Sequence, residues 1–95
     1  MNSIFDFIFN ASDFIEDQII IQELTVEINK TVFDTMMKTQ EMLVDRYGEL
    51  NTDMSKKALE EAVKNGFKQL LEAEEQLNQS KKDLKRIKKQ AKKIL

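Results

Sequence analysis

Apolar residues return along this chain in alternating steps of four and three. The first row reads Ile15, Ile19, Gln22, Val26, Asn29, Phe33, Met36, Gln40, Leu43, Tyr47 and Leu50. The second reads Leu59, Val63, Gly66, Leu70, Ala73, Leu77, Ser80, Leu84, Ile87, Ala91 and Ile94. A 4-3 rhythm keeps every member of a row on one side of an α-helix and marks helices that pack lengthwise. Two long helices are therefore predicted, over 12–47 and 53–94, about 54 and 63 Å long at about 1.5 Å per residue. Residues 19–28 are rich in β-branched side chains, which favour strands, but the helical period continues on both sides of them. Residues 1–11 are predicted to form a short separate helix, because Asn10 and Ser12 offer side-chain oxygens that can cap a new one.

The one break in the pattern is Tyr47-Gly48-Glu49-Leu50-Asn51-Thr52-Asp53. Gly48 is expected to take the left-handed position that closes many helices. Thr52, Asp53 or Ser55 is expected to cap the next helix. A turn over 48–52 is short, and short connections between long helices favour an antiparallel hairpin.

The two rows differ in kind. In the second, Val63, Leu70, Leu77 and Leu84 are bulky, whereas Gly66, Ala73 and Ser80 are small at three successive heptads. Small residues at that spacing let two helices approach closely. Gly66 would otherwise cost about 1 kcal/mol relative to Ala inside a helix. In the first row three amides, Gln22, Asn29 and Gln40, stand at seam positions, where buried polar groups specify register and oligomeric state. The first helix also carries a second apolar stripe, Phe14, Ile21, Leu24, Ile28 and Val32. One neighbouring helix cannot cover both sides. The fold class expected is all-α: a long antiparallel hairpin that completes a bundle by oligomerisation, as a homodimer in the simplest case.

Composition narrows the function. The 95 residues include no Pro, Cys, His or Trp and only two Gly. Without His or Cys there is no imidazole base, no catalytic triad, no thiolate nucleophile and no Cys/His metal centre. Glycine at 48 and 66 alone builds no phosphate-binding loop. The Glu-x-x-His motif of di-iron bundles is missing. The acidic neighbours Glu16/Asp17 and Glu60/Glu61 therefore lack the di-iron pattern, and the group Glu72, Glu74 and Glu75 reads as a solvated face. No enzymatic activity, metal or cofactor is expected. The longest apolar runs are three residues, against the roughly 20 of a membrane span, and no basic stretch precedes the first of them as in a secretory signal. A cytoplasmic location is expected, in the producing cell or in a host if the chain is phage-encoded.

Net charge is only −2, yet it is polarised. Residues 1–53 hold eleven acids and three bases, net −8, and residues 54–95 hold twelve bases and six acids, net +6. The basic residues crowd into Lys81, Lys82, Lys85, Arg86, Lys88, Lys89, Lys92 and Lys93. In an antiparallel hairpin turning near residue 51, position 88 comes beside position 15. The basic end is therefore expected to face Asp6, Asp13, Glu16, Asp17 and Glu23, setting orientation more than stability. The alternative is a surface for nucleic acid or an anionic membrane. Lysine predominates, however, and no aromatic is interleaved, which is a poor pattern for reading bases.

Four of the six phenylalanines lie in the first fourteen residues: Phe5, Phe7, Phe9 and Phe14. Aromatic anchors at one end suit insertion into a partner's groove, and equally a plug over the open end of a bundle. With Ile21, Leu24 and Ile28 they make the expected partner-binding surface. The favoured function is thus a non-enzymatic protein-interaction module: an adaptor, inhibitor or assembly factor. In length and architecture the chain resembles the small helical hairpins exported by type VII secretion, and an export substrate or chaperone is a further alternative. That resemblance is one of shape. The family's Trp-x-Gly turn is replaced here by Arg46-Tyr47-Gly48, and its acidic export motif by a lysine-rich end.

Overall fold

The computed structural model describes residues 4–94, with side chains from Ser12 onward. It is a hairpin of two 42-residue helices, α1 (Ile4–Asp45) and α2 (Asp53–Ile94), joined by a single 3-10 turn at Tyr47–Glu49. No strand occurs among the described residues. The helices run antiparallel side by side, giving a rod of 76 × 19 × 15 Å.

The expected separate helix over 1–11 is not formed: α1 runs without a break from Ile4 through Asn10 and Ser12. Asn and Ser cap a helix only where the backbone leaves helical geometry, and no Pro or Gly here makes it do so. A break would strand four amide and four carbonyl groups that the continuous helix satisfies.

The connection also departs from expectation. No glycine has positive φ, so Gly48 does not adopt the left-handed closure. Instead α1 tightens: the Arg46 N–H donates to Met42 O, the Glu49 N–H to Arg46 O and the Leu50 N–H to Tyr47 O. Two i→i−3 bonds, to Arg46 O and Tyr47 O, thus carry the chain out of the α-helix in place of a left-handed residue. Arg46 Nε also donates to Glu49 Oε2 at 2.8 Å across the turn.

At the start of α2, Thr52 Oγ1 accepts from the Ser55 N–H at 3.1 Å and donates to Ser55 Oγ at 2.7 Å. Thr52 is therefore the cap, with Ser55 in the position where Glu usually answers it. Asp53 sits in the first turn, and Lys92 and Lys93 in the last, each at the end of the helix dipole that favours its charge. Replacing Thr52 by Ala is expected to lower stability by about 1 kcal/mol, measured by urea unfolding. An unchanged midpoint would show the cap to be idle.

The two helices meet along one seam. From α1 it takes Ile15, Ile19, Gln22, Val26, Asn29, Phe33, Met36, Gln40 and Leu43, all at least half-buried. From α2 it takes Leu59 through Ala91, with Leu70, Ala73, Leu77, Ser80 and Ala91 buried. Ile94, the last member of the row, is exposed. No described side chain is wholly sealed from solvent. That follows from geometry, since two cylinders share one line of contact and cannot enclose a residue between them.

The amides and the small residues prove to be partners. Gln40 donates through Nε2 to Val63 O at 2.8 Å, and Gln22 through Nε2 to Ser80 O at 3.0 Å. The side chain of Gln40 occupies the notch left by Gly66, where an added Cβ would meet Gln40 Cδ at 2.7 Å. Gly66 and Ser80 thus leave room for an amide to cross the seam and bond to a backbone carbonyl. Among the described residues no buried side-chain polar atom is left without a partner, which removes the penalty such groups would otherwise carry.

Candidate protein-docking site

Covering the seam leaves α1 with large apolar side chains in water. Phe14 is 64% exposed, Ile21 54%, Leu24 58%, Ile28 63% and Met42 63%, with Val32 beside them. At about 100° per residue they fall on one flank of α1, which extends about 42 Å from Phe14 to Met42. The acids Glu16, Glu23, Glu27, Asp34, Glu41 and Asp45 fall on the other flank. α1 is thus three-sided, with a seam, an acidic flank and an apolar flank.

Threonines extend the apolar flank. Thr25 donates its hydroxyl to Ile21 O at 2.9 Å, and Thr39 donates to Thr35 O at 2.9 Å. A hydroxyl bonded back to its own helix no longer offers its proton to a partner. The neighbouring flank of α2 adds no charge over three heptads: Ser55, Ala62, Gln69 and Gln76 succeed one another at seven-residue steps. Met42 and Leu43 share a surface groove with Leu50, Ser55, Ala58 and Ala62, so this flank of α2 lies beside the α1 stripe.

Phe14, Ile21, Leu24 and Ile28, four residues singled out from the sequence, are brought together on this face. Phe5, Phe7 and Phe9 lie outside the described side chains. Their segment is the start of α1 rather than a separate plug.

The opposite side of the hairpin carries a second apolar hollow of ≈ 500 Å³, lined by Leu43, Val44, Tyr47, Leu59, Val63, Lys64 and Phe67. Met37 and Leu70 continue it, and Leu71 stands exposed one turn beyond Phe67. Sequence reasoning missed Phe67 and Leu71. The available signal was a large apolar pair, four residues apart, lying off the 4-3 row.

At the rim of this hollow the Tyr47 hydroxyl donates to Glu60 Oε1 at 2.9 Å. That hydrogen bond, then burial, then the negative charges of Glu60 and Asp53 raise the phenol above its ordinary value of 10.0. A raised acid pKa in the folded state means that the contact stabilises the fold below the ordinary tyrosine value and loses that contribution as pH rises through the shifted one. Tyr47 is the only tyrosine in the chain, so its titration is read directly from tyrosinate absorbance. The midpoint is expected above 10.0, and Glu60→Gln is expected to lower it. An ordinary midpoint in the intact protein would rule out the contact.

The basic end is placed beside acidic α1, but few charges pair. Among the described side chains the ion pairs are Lys88 with Glu23 at 3.8 Å, Arg86 with Asp83 at 3.5 Å and Arg46 with Glu49. Only the first crosses between helices, and both its members are half exposed, so it contributes about 0–1 kcal/mol. Lys81, Lys82, Lys85, Lys89, Lys92 and Lys93 make no ion pair with the described acids. Among the described side chains, the matching of basic end to acidic helix expected from charge patterning is thus reduced to one contact, and Asp6 lies outside them. The lysines leave α2 on several sides, whereas most of the acids of α1 keep to one.

No group of three or more acidic side chains is gathered to hold a metal ion among the described residues. No described helix is long and apolar enough to cross a membrane. Comparison with protein-family models, with curated proteins and with solved structures finds no match to this chain.

Proposed function

We propose that this protein is a non-enzymatic interaction module that docks other protein surface onto the apolar flank of α1. The observation that carries the reading is the apolar stripe from Phe14 to Met42, with five of its side chains more than half exposed. Contiguous apolar surface of this extent marks an interaction site on a water-soluble helical protein. A helix presenting side chains at steps of three, four and seven is a standard form of protein recognition. The hollow at Tyr47 and Phe67, on the opposite side, offers a second surface, which suits an adaptor or assembly factor that bridges two elements.

The test is a photo-crosslinking residue at Leu24, compared with one at Asp34 on the acidic flank, in the intact protein inside its producing cell. Protein adducts are expected from position 24 and not from position 34. Equal yields from both positions, or none from either, would contradict the reading.

A second reading has one observation in its favour: six lysines of α2 without an ion pair to the described acids. Such a surface would bind nucleic acid through backbone phosphates, with affinity falling steeply in salt. Passage of the intact protein over immobilised duplex DNA at low salt separates the two. Free passage is expected for a protein-docking module, and retention released by salt would favour the basic surface.

A further inference from the structure

We infer that the occupant of the α1 stripe is a second copy of this chain, packed antiparallel about a two-fold axis at Ile28. The inference rests on the docking reading above and names its partner.

The surface area argues for a large contact. A compact monomer of 11.1 kDa exposes about 5,700 Å². This hairpin exposes 7954 Å². The difference, about 2,300 Å² per chain and so about 4,600 Å² over two, is of the size that obligate homodimers remove, roughly 2,000–5,000 Å² over both partners. Two hairpins laid face to face form a four-helix bundle, the smallest arrangement in which a long helical hairpin encloses a core.

The order of residues along the stripe argues for a copy of itself. Phe14, Ile21, Ile28, Thr35 and Met42 stand at seven-residue steps, two on either side of Ile28. A two-fold axis through Ile28 brings Phe14 opposite the partner's Met42, Ile21 opposite the partner's Thr35, Leu24 opposite the partner's Val32, and Ile28 opposite itself. Every large apolar member meets another apolar or methyl-bearing side chain, as a self-complementary interface requires. Phe14 against Met42 is a sulfur–aromatic pairing.

Charge selects the same direction. Asp17 and Lys38 stand in the seven-residue row of Leu24, eleven residues before and ten after Ile28. Antiparallel packing sets Asp17 at the level of the partner's Lys38, twice over. A parallel pair would set Asp17 beside Asp17. The uncharged α2 row Ser55, Ala62, Gln69 and Gln76 brings no competing charge to the face.

The chain has no cysteine, so introduced thiols report proximity without background. In the full-length protein under mild oxidation, Ile28→Cys is expected to give a covalent dimer by itself. Ile21→Cys and Thr35→Cys are each expected to stay uncoupled alone and to couple when the two proteins are mixed. Self-coupling of Ile21→Cys in preference to the mixed pair would overturn the antiparallel register. Absence of coupling in all three, with helical circular dichroism unchanged, would overturn the copy as occupant. Adducts from Leu24 to a different protein alone would also overturn it, while leaving the docking reading in place. Loss of those adducts as well would end both.

Discussion

Lysine at both Ile21 and Ile28 is expected to convert the proposed dimer into a folded monomer. Each side chain is more than half exposed in the isolated hairpin, so an ammonium group there stays in water and the seam is undisturbed. Exposed isoleucine is also a mediocre helix former, and lysine a better one. The cost to the single hairpin is therefore within about 0.5 kcal/mol. Across a two-fold contact the same change places four lysines in one apolar strip. Burying an unpaired ammonium is expensive enough that the interface opens instead. Association is expected to weaken by at least a hundredfold, about 2.8 kcal/mol at about 1.4 kcal/mol per tenfold. Light scattering after gel filtration reads the mass, and circular dichroism confirms the helices. The control is Glu27→Lys with Asp34→Lys on the acidic flank, which adds the same number of lysines and is expected to leave the mass unchanged.

The second large effect is at the seam. Gly66→Leu is expected to lower stability by about 3 kcal/mol, because its side chain needs the space held by the Gln40 amide and displaces that group from Val63 O. Gln40→Ala alone is expected to cost about 1 kcal/mol, the ordinary loss of one such hydrogen bond. Combined, the two changes refill one space, and the double variant is expected to recover about 2 kcal/mol relative to additivity. Additive losses in urea unfolding would show that Gly66 and Gln40 do not share the notch. Gly48 supplies the contrast. Nothing lies within 4 Å of a Cβ added there, and its φ is negative. Gly48→Ala is thus expected to be neutral or to stabilise by about 0.5–1 kcal/mol through the unfolded chain.

The hairpin and its antiparallel sense were legible because heptad spacing is a global signal, repeated down each helix and interrupted once. The apolar stripe on α1 was legible for the same reason, as a second row out of phase with the first. What escaped was local or depended on register between helices. Asn10 and Ser12 have the chemistry of caps but lie within α1, because capping residues act only where something else ends the helix. Gly48 has the chemistry of a left-handed closure, yet 3-10 bonds from Arg46 to Leu50 do that work. The pairing of Gln40 with Gly66 depends on how the turn sets one helix against the other, which neither row contains alone. Phe67, Met37 and Val44 form a hollow only once both helices are in place. The lysine-rich end shows the limit of charge counting. Net charges of opposite sign lie side by side, and among the described side chains a single pair crosses between helices within 4 Å.

The Thr52 cap and the Tyr47–Glu60 contact concern the turn, and the Gly66 cycle concerns the seam. All of these could hold in a monomer. The face of α1 is tested most directly by sedimentation equilibrium of the unmodified protein over a range of concentrations. The expected result is a species of twice the 11.1 kDa chain mass that dissociates on dilution or remains throughout. A single species of 11.1 kDa at every concentration, with the helices intact, would contradict pairing through the α1 stripe.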